Sequence, residues 1–161
     1  MRMSNNTILV TGGTSGIGRV LAEAFHDRGS RVIVTGRRKD LLDDIERQRP
    51  GIVGMDLDLD DPHSLARLAN DVHTRSPDLN VLIANAGISR SEDMTSAEWN
   101  VSDAEAIVQT NILGVLRVTT AFLPTLKNQP VATIIATVPR CIPASGRFSH
   151  IALARRSCTH G

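Results

Sequence analysis

Short apolar segments alternate along this chain with longer segments in which apolar side chains recur at helical spacing. Five of the short segments have the composition of buried strands, and they cover residues 7–13, 31–36, 52–59, 81–87 and 131–138. Strands and helices in alternation form βαβ units, whose right-handed crossovers produce a parallel sheet with helices on both faces. The expected fold class is therefore α/β, a doubly wound parallel sheet. It is expected to be incomplete, with about five strands where the full order has six.

Helix signals fill the intervals between the predicted strands. Four helices are expected, over residues 17–28, 38–47, 60–76 and 102–124. The third begins at Asp61-Pro62, an N-cap residue followed by a proline in the first turn. The fourth begins with the pattern of a capping box, formed by Ser102 and Glu105. Each helix is thus expected to connect two parallel strands.

The balance of acidic and basic residues changes near residue 139. All 17 acidic residues lie at or before Glu105, whereas residues 139–161 carry four arginines and no acidic residue. A formal net charge of +1 gives no global field that would attract nucleic acid. No apolar run approaches the roughly 18 residues of a membrane span, and no secretion signal is recognised. The expected compartment is the cytoplasm, with neither nucleic acid nor membrane as a partner.

A glycine-rich segment, TGGTSGIG, lies between the first predicted strand and the first predicted helix. Glycines in such a turn let the backbone approach a ligand closely, and the N–H groups at the helix start then face a pyrophosphate. The alternative is a glycine-rich turn that binds nothing. The position of this segment after a strand and before a helix favours the interpretation that it binds a ligand.

The spacing T-G-x-x-x-G-x-G, Thr11 to Gly18, resembles that of the short-chain dehydrogenase/reductase family. Three further features match the family in order: the N-A-G motif at residues 85–87, Asp58 at the adenine-contacting aspartate, and Asn111 in the long helix. The resemblance covers about residues 7–138 and implies a Rossmann-like, NAD(P)-binding domain over residues 1–138. The cofactor set expected from the resemblance and from charge is Gly12, Thr14, Ser15, Gly16, Ile17, Gly18, Arg37, Arg38, Asp58, Asn85, Ala86 and Gly87.

Three members of the matched set have a second interpretation. Asp58 can simply begin the next turn, and Asp56 competes with it for the adenine contact. Asn85 can act only to stabilise the end of its strand. Asn111, taken alone, would be a structural residue, and only its order with the other motifs points to the family's catalytic set.

The end of the second strand predicts which dinucleotide binds. A carboxylate there would accept the ribose hydroxyls of NAD and repel a 2′-phosphate. This chain has Gly36 at that position, followed by Arg37 and Arg38, whose guanidinium groups can pair with a 2′-phosphate. NADP is therefore preferred and NAD is possible. The alternative is that both arginines form a solvated helix start.

The residues that perform the family's chemistry are missing from the sequence. By resemblance, a tyrosine serves as general acid/base, a lysine four residues later lowers its pKa, and a serine after the fifth strand polarises the carbonyl. The chain has no tyrosine, its last lysine is Lys127, and Pro139-Arg140 follow the fifth strand. Of the catalytic set only Asn111 remains, and no metal site is indicated. A small carbonyl or alcohol substrate is implied by the family alone.

Residues 139–161 form a non-homologous tail, for which a frameshift is the leading hypothesis, with intron read-through and a genuinely divergent tail as the alternatives. With one permitted set of codons, the displaced reading frame gives a serine pair after Val138 and then Y-S-A-S-K, which has the family's tyrosine–lysine spacing. The chain is then an oxidoreductase homologue without catalysis. The alternatives are an NADP-binding regulatory or partner module, and an active enzyme in which His150 replaces the tyrosine. Substrate and oligomeric state stay open.

Overall fold

The structure, a computed structural model, describes residues 4–89 and 101–137. The described strands are β1 (Thr7–Thr11), β2 (Arg31–Gly36), β3 (Ile52–Asp56), β4 (Val81–Ala84) and β5 (Thr133–Ala136). The described α-helices are α1 (Gly16–His26), α2 (Lys39–Gln48), α3 (Pro62–Arg75), α4 (Ser102–Val108) and α5 (Gly114–Lys127). A π-helical segment, Gln109–Leu113, joins α4 to α5.

The described strands form one parallel sheet in the order β3-β2-β1-β4-β5. Leu9 of β1 lies opposite Ile33 of β2 and Leu82 of β4. Every residue of β1 and β4 is buried, because helices cover both faces of the sheet. This explains why the central residues of these strands are apolar on both faces. The predicted α/β, doubly wound architecture is confirmed.

Alternate residues of the strands build two separate hydrophobic clusters, one on each face. Leu9 packs with Phe122 in the cluster covered by α3 and α5. Ile8 and Val10 pack with Phe25 in the cluster covered by α1 and α2. Phe122 is fully buried, so its truncation to alanine would cost about 3–5 kcal/mol of unfolding free energy. The two clusters fix the loops at the carboxyl edge of the sheet.

Several strands end earlier than the apolar pattern predicts. β4 ends at Ala84 and does not extend to residue 87, because the next two N–H groups leave the ladder. Those of Asn85 and Ala86 both donate to Thr11 Oγ1, at 3.0 and 3.1 Å. The chain therefore turns around a buried threonine hydroxyl at this point. The predicted end of the fifth strand, Val138, lies outside the described residues.

The two predicted helix caps have different outcomes. Asp61 is the N-cap of α3, and its carboxylate accepts a hydrogen bond from the His63 N–H at 2.8 Å, as expected. The capping box at Ser102 is wrong, because Val101 already has helical backbone angles and occupies the N-cap position. Ser102 is consequently the first residue of α4 and lies inside the helix.

The segment Ser102–Lys127 is a continuous helix of 26 residues, and by length and composition it is apolar enough to cross a membrane. No apolar run in the sequence indicated this. The core helix of a soluble protein passes the same test when it is mostly buried. Here Val118, Phe122 and Leu126 pack into the core, and 22% of the apolar window is buried. The helix also continues past Pro124, its predicted end, since the buried Leu126 anchors the last turn.

Candidate functional site

A crevice of ≈ 490 Å³ opens at the carboxyl ends of the strands, above β1, β2 and β4. Strand order reverses between β1 and β4, and open α/β sheets bind ligands at such a switch point. Nine residues of the predicted cofactor set line the crevice: Gly12, Thr14, Ser15, Arg37, Arg38, Asp58, Asn85, Ala86 and Gly87. The structure therefore brings together segments that are up to 75 residues apart in sequence.

Two glycines of the loop permit contacts that no other residue would allow. Gly12 has a φ of +66°, and a Cβ at this position would lie 2.8 Å from the Cα of Ala86. A Cβ on Gly18 would overlap the carbonyl oxygen of Gly12 and the amide nitrogen of Asn85. The loop thus packs backbone against backbone on the end of β4. This close approach leaves the crevice open above it.

The start of α1 lies beside the crevice. Ser15 is the N-cap residue, but its side chain does not cap the helix, and the first turn contains no acidic residue. The N-terminal dipole is therefore not neutralised by this helix's own side chains. Gly16, Ile17 and Gly18 form the first turn without lining the crevice, and the side chain of Ile17 is 68% exposed.

Arg37 and Arg38 follow β2 directly, and both are exposed and line the crevice. Arg38 Nη2 donates to Ser15 Oγ at 3.4 Å, and no ion pair engages either arginine within residues 4–89 and 101–137. A Cβ on Gly36 would lie 2.9 Å from Thr14 Cγ2. A carboxylate-bearing side chain at residue 36 would therefore displace Thr14. The end of β2 therefore offers two guanidinium groups to the crevice, which Asp58 and Asp60 also line.

The structure separates the two aspartates that competed for the adenine contact. Asp58 lines the crevice, whereas Asp56 ends β3 opposite Gly36 and lines a different, smaller cavity. Asp58 also begins a turn, because its Oδ1 accepts from the Asp60 N–H at 3.0 Å. Its own N–H donates to Ser64 Oγ at 3.1 Å. Both interpretations of Asp58 are thus compatible with its position.

Asn85 holds three segments together. Its Nδ2 donates to the carbonyl oxygens of Thr11 and Gly12, at 3.3 Å each. Its Oδ1 accepts from the Thr137 hydroxyl at 2.9 Å. Asn85 also lines the crevice, so stabilising the strand end and facing a ligand are combined in one residue.

Asn111 lies in the π-helical segment and does not line the crevice. Its side chain accepts from the Ile88 N–H and donates to the Ile88 carbonyl, each at 2.8 Å. Both polar atoms of the amide therefore hold the backbone that follows the N-A-G motif. Residues 138–161, where the family's tyrosine and lysine are expected, lie outside the described residues.

Nine further residues line the crevice without having been predicted. They are Thr35, Gly36, Leu57, Leu59, Asp60, Ile88, Ala106, Gln109 and Thr110. Those from strand ends and the following loops adjoin predicted residues, and adjacency in sequence could have indicated them. Ala106, Gln109 and Thr110 come from the long helix, and only its packing over the crevice reveals them.

Charged groups with shifted pKa values lie away from the crevice. Arg19 Nε donates to Glu23 Oε1 at 2.9 Å on the outer side of α1. This hydrogen bond lowers the pKa of the Glu23 carboxyl and raises the pKa of Arg19. Arg19 also pairs with Asp44 at 3.3 Å, which ties α1 to α2. These ion pairs stabilise the arrangement of two helices.

Among the described residues no cluster of histidine, cysteine and carboxylate groups could hold a metal.

The family model for the short chain dehydrogenase matches residues 6–139. The chain belongs to the short-chain dehydrogenase family. It is 33% identical over 135 residues to the uncharacterized oxidoreductase DltE of Bacillus subtilis, which covers 84% of this chain and 54% of the relative.

Two solved short-chain dehydrogenases have a similar fold. The enzyme from Streptomyces avermitilis is 31% identical with a TM-score of 0.74, and the match covers 84% of this chain and 50% of that one. The enzyme from Burkholderia cenocepacia, solved in complex with NADP, is 32% identical with a TM-score of 0.71, over 84% and 54% of the two chains. The chain thus spans about half the length of the short-chain dehydrogenases it matches.

Proposed function

We propose that this chain is the dinucleotide-binding half of a short-chain oxidoreductase and that it prefers NADP(H) to NAD(H). The observation that carries the proposal is the crevice in which the glycine loop meets Arg37 and Arg38. Neither arginine is neutralised within the described part of the chain, and residue 36 is a glycine that packs on Thr14. Two guanidinium groups beside a backbone cradle suit a ligand that carries both a pyrophosphate and a 2′-phosphate.

The residues around the crevice fit the parts of such a cofactor. Gly12 and Gly18 let the loop pack closely against the end of β4, and the N–H groups at the start of α1 would suit the pyrophosphate. Asp58 and Asn85 both line the crevice, and the family resemblance assigns them to the adenosine. A bound nicotinamide would supply hydride transfer, and these residues would only bind and orient it. A related enzyme solved with NADP supports the choice of ligand.

A fluorescence titration of NADPH and NADH tests the preference. Replacement of both arginines, Arg37→Ala with Arg38→Ala, is expected to weaken NADPH binding at least tenfold, because each charge-assisted bond to a phosphate contributes about 1.5–3 kcal/mol. NADH binding should change less than about threefold. The matched control is Arg28→Ala, an exposed arginine at the far end of α1 that bonds to the Ala24 carbonyl. Equal losses for NADPH and NADH would contradict the assigned preference.

We further propose that this chain binds the nucleotide without turning over a carbonyl substrate. It contains no tyrosine, so the family's general acid has no counterpart in these 161 residues. Consumption of NADPH over a panel of aldehydes and ketones should equal the rate without protein. Turnover above that rate would favour the interpretation in which another group, such as His150, supplies the proton.

The origin of residues 139–161 is a separate proposal. A lost base near the codon for Val138 would account for the absence of the tyrosine, the lysine and the serine pair together. The match to the family model ends at residue 139, which supports this position. Sequencing the transcript across the codons for residues 133–161 tests it. If the displaced reading frame continues without a stop codon, the chain is an altered copy of a reductase. If that frame soon reaches a stop codon, the result favours a regulatory or partner module that binds NADP.

A further inference from the structure

We infer that Thr137 is a positioning residue for the glycine loop, acting through Asn85, an inference that rests on the proposed binding of a dinucleotide. Thr137 directly follows β5, and its Oγ1 donates to Asn85 Oδ1 at 2.9 Å. Its backbone N–H donates to the Ala84 carbonyl at 3.0 Å, so the ladder between β4 and β5 continues to this residue. The hydroxyl is therefore held at a fixed place beside the Asn85 amide.

The orientation of the Asn85 amide depends on both of its sides. Its NH₂ group faces the carbonyl oxygens of Thr11 and Gly12, at 3.3 Å each. The amide oxygen must then face the opposite direction, towards β5, where the Thr137 hydroxyl is the donor that meets it. A rotated amide would place oxygen against two carbonyl oxygens. The hydroxyl thus completes the only orientation in which every polar atom of the amide is satisfied.

The glycine loop depends on where this amide lies. Gly18, in the first turn of α1, packs so closely on Asn85 Nδ2 and on the Gly12 carbonyl that a methyl group there would overlap both. A shift of the Asn85 side chain therefore moves the start of α1 or opens the turn at Gly12. The N–H groups of that turn are the ones proposed to meet the pyrophosphate. Thr137 consequently acts on the site from a third strand, without lining the crevice.

Three variants separate the hydroxyl from the rest of the side chain. Thr137→Val removes the donor at almost constant volume, and Thr137→Ser keeps it. Thr133→Val makes the same replacement at the other end of β5, where the threonine hydroxyl has no hydrogen-bond partner among the described residues. Thr137→Val is expected to weaken NADPH binding about fivefold, the ordinary effect of one hydrogen bond. The serine variant and the Thr133 control should stay within about twofold of the unchanged protein.

A double-mutant cycle tests whether the effect passes through Asn85. In an Asn85→Ala background, Thr137→Val should cause no further loss of NADPH affinity, since the bonded partner is already gone. An equal loss in both backgrounds would overturn the inference. So would normal binding by Thr137→Val, or a loss in Thr137→Ser that matches the loss in the valine variant.

A second readout needs no nucleotide. Hydrogen exchange of the loop amides from residue 12 to residue 19 should be faster in Thr137→Val than in the unchanged protein, and unaltered in Thr133→Val. If the unchanged chain binds neither NADPH nor NADH, the proposed function fails, and hydrogen exchange alone decides the role of Thr137. Loop protection that is unchanged in Thr137→Val would then overturn the inference.

Discussion

The two edges of the parallel sheet both carry polar residues but use them differently. At the amino edge, Thr7 N–H donates to Asn80 Oδ1 at 2.9 Å, and Thr7 Oγ1 donates to Asp78 Oδ2 at 2.7 Å. Asn80 in turn donates to Asn6 at 3.1 Å, and Arg31 pairs with Asp78 at 3.0 Å. These groups satisfy one another across three strands and so join the strand ends together.

At the carboxyl edge, the polar groups divide into an inner and an outer set. The inner set, Thr11, Asn85 and Thr137, is bonded internally as at the amino edge. The outer set, Arg37 and Arg38, faces the crevice without an ion pair in the described residues. Charged groups that the fold does not pair with each other are available to a ligand. Polar composition at a strand end is therefore a weaker indicator of a binding site than the lack of internal partners.

The largest expected effect comes from adding a methyl group at Gly18, where the glycine loop packs tightly at the carboxyl edge of the sheet. Gly18→Ala should lower nucleotide affinity more than tenfold and also lower the melting temperature, because the new methyl group would overlap Gly12 and Asn85. Gly29→Ala is the control, since Gly29 has a φ of +79° with open space around it. It should lose about 1 kcal/mol of stability through backbone strain while binding is unchanged. Normal binding by Gly18→Ala would remove the proposed role of the close approach.

A smaller effect is expected at the amino edge. Asp78→Ala should lower the free energy of unfolding by about 1–2 kcal/mol, because the hydroxyl of the buried Thr7 loses a charged acceptor. NADPH affinity should not change. Arg31→Ala removes only the exposed ion pair with Asp78 and should cost a few tenths of a kcal/mol. Chemical denaturation and nucleotide titration of the same samples check both results. A loss of affinity in Asp78→Ala would erase the contrast between the edges.

The smallest effect concerns Glu23, which lies at neither edge. Because Arg19 lowers the pKa of Glu23 in the folded protein, the folded state favours the charged carboxylate. The resulting stabilisation is fully present above the ordinary glutamate value of about 4.5 and is lost as the pH falls through the lower folded value. Glu23→Gln should therefore cost about 0.5 kcal/mol or less near pH 7, with a difference that shrinks below pH 4.5. A difference that grows in acid would mean that the sign of the shift is wrong.

The hydrophobic pattern and a few short motifs predict most of the fold of this protein. The central residues of the strands that contain Leu9, Ile33 and Leu82 are all apolar, and such a run is typical of a strand covered on both faces. The cap at Asp61 was also predictable, since an aspartate before proline bonds to an N–H two residues ahead. The capping box at Ser102 was predicted wrongly, because α4 begins one residue earlier than its pattern indicates. Local signals of this kind fix helix starts only to within a residue or two.

Neighbouring residues along the chain encode the order of the elements, the parallel sheet, the glycine loop and the two arginines after β2. Tertiary structure alone decided which of Asp56 and Asp58 faces the crevice, and which residues of the long helix cover it. It also decided that Asn85 links Gly12 to Thr137, partners that are 73 and 52 residues away from it. Hydrogen bonds over such distances form only when packed strands bring their ends together, and no local pattern encodes that meeting.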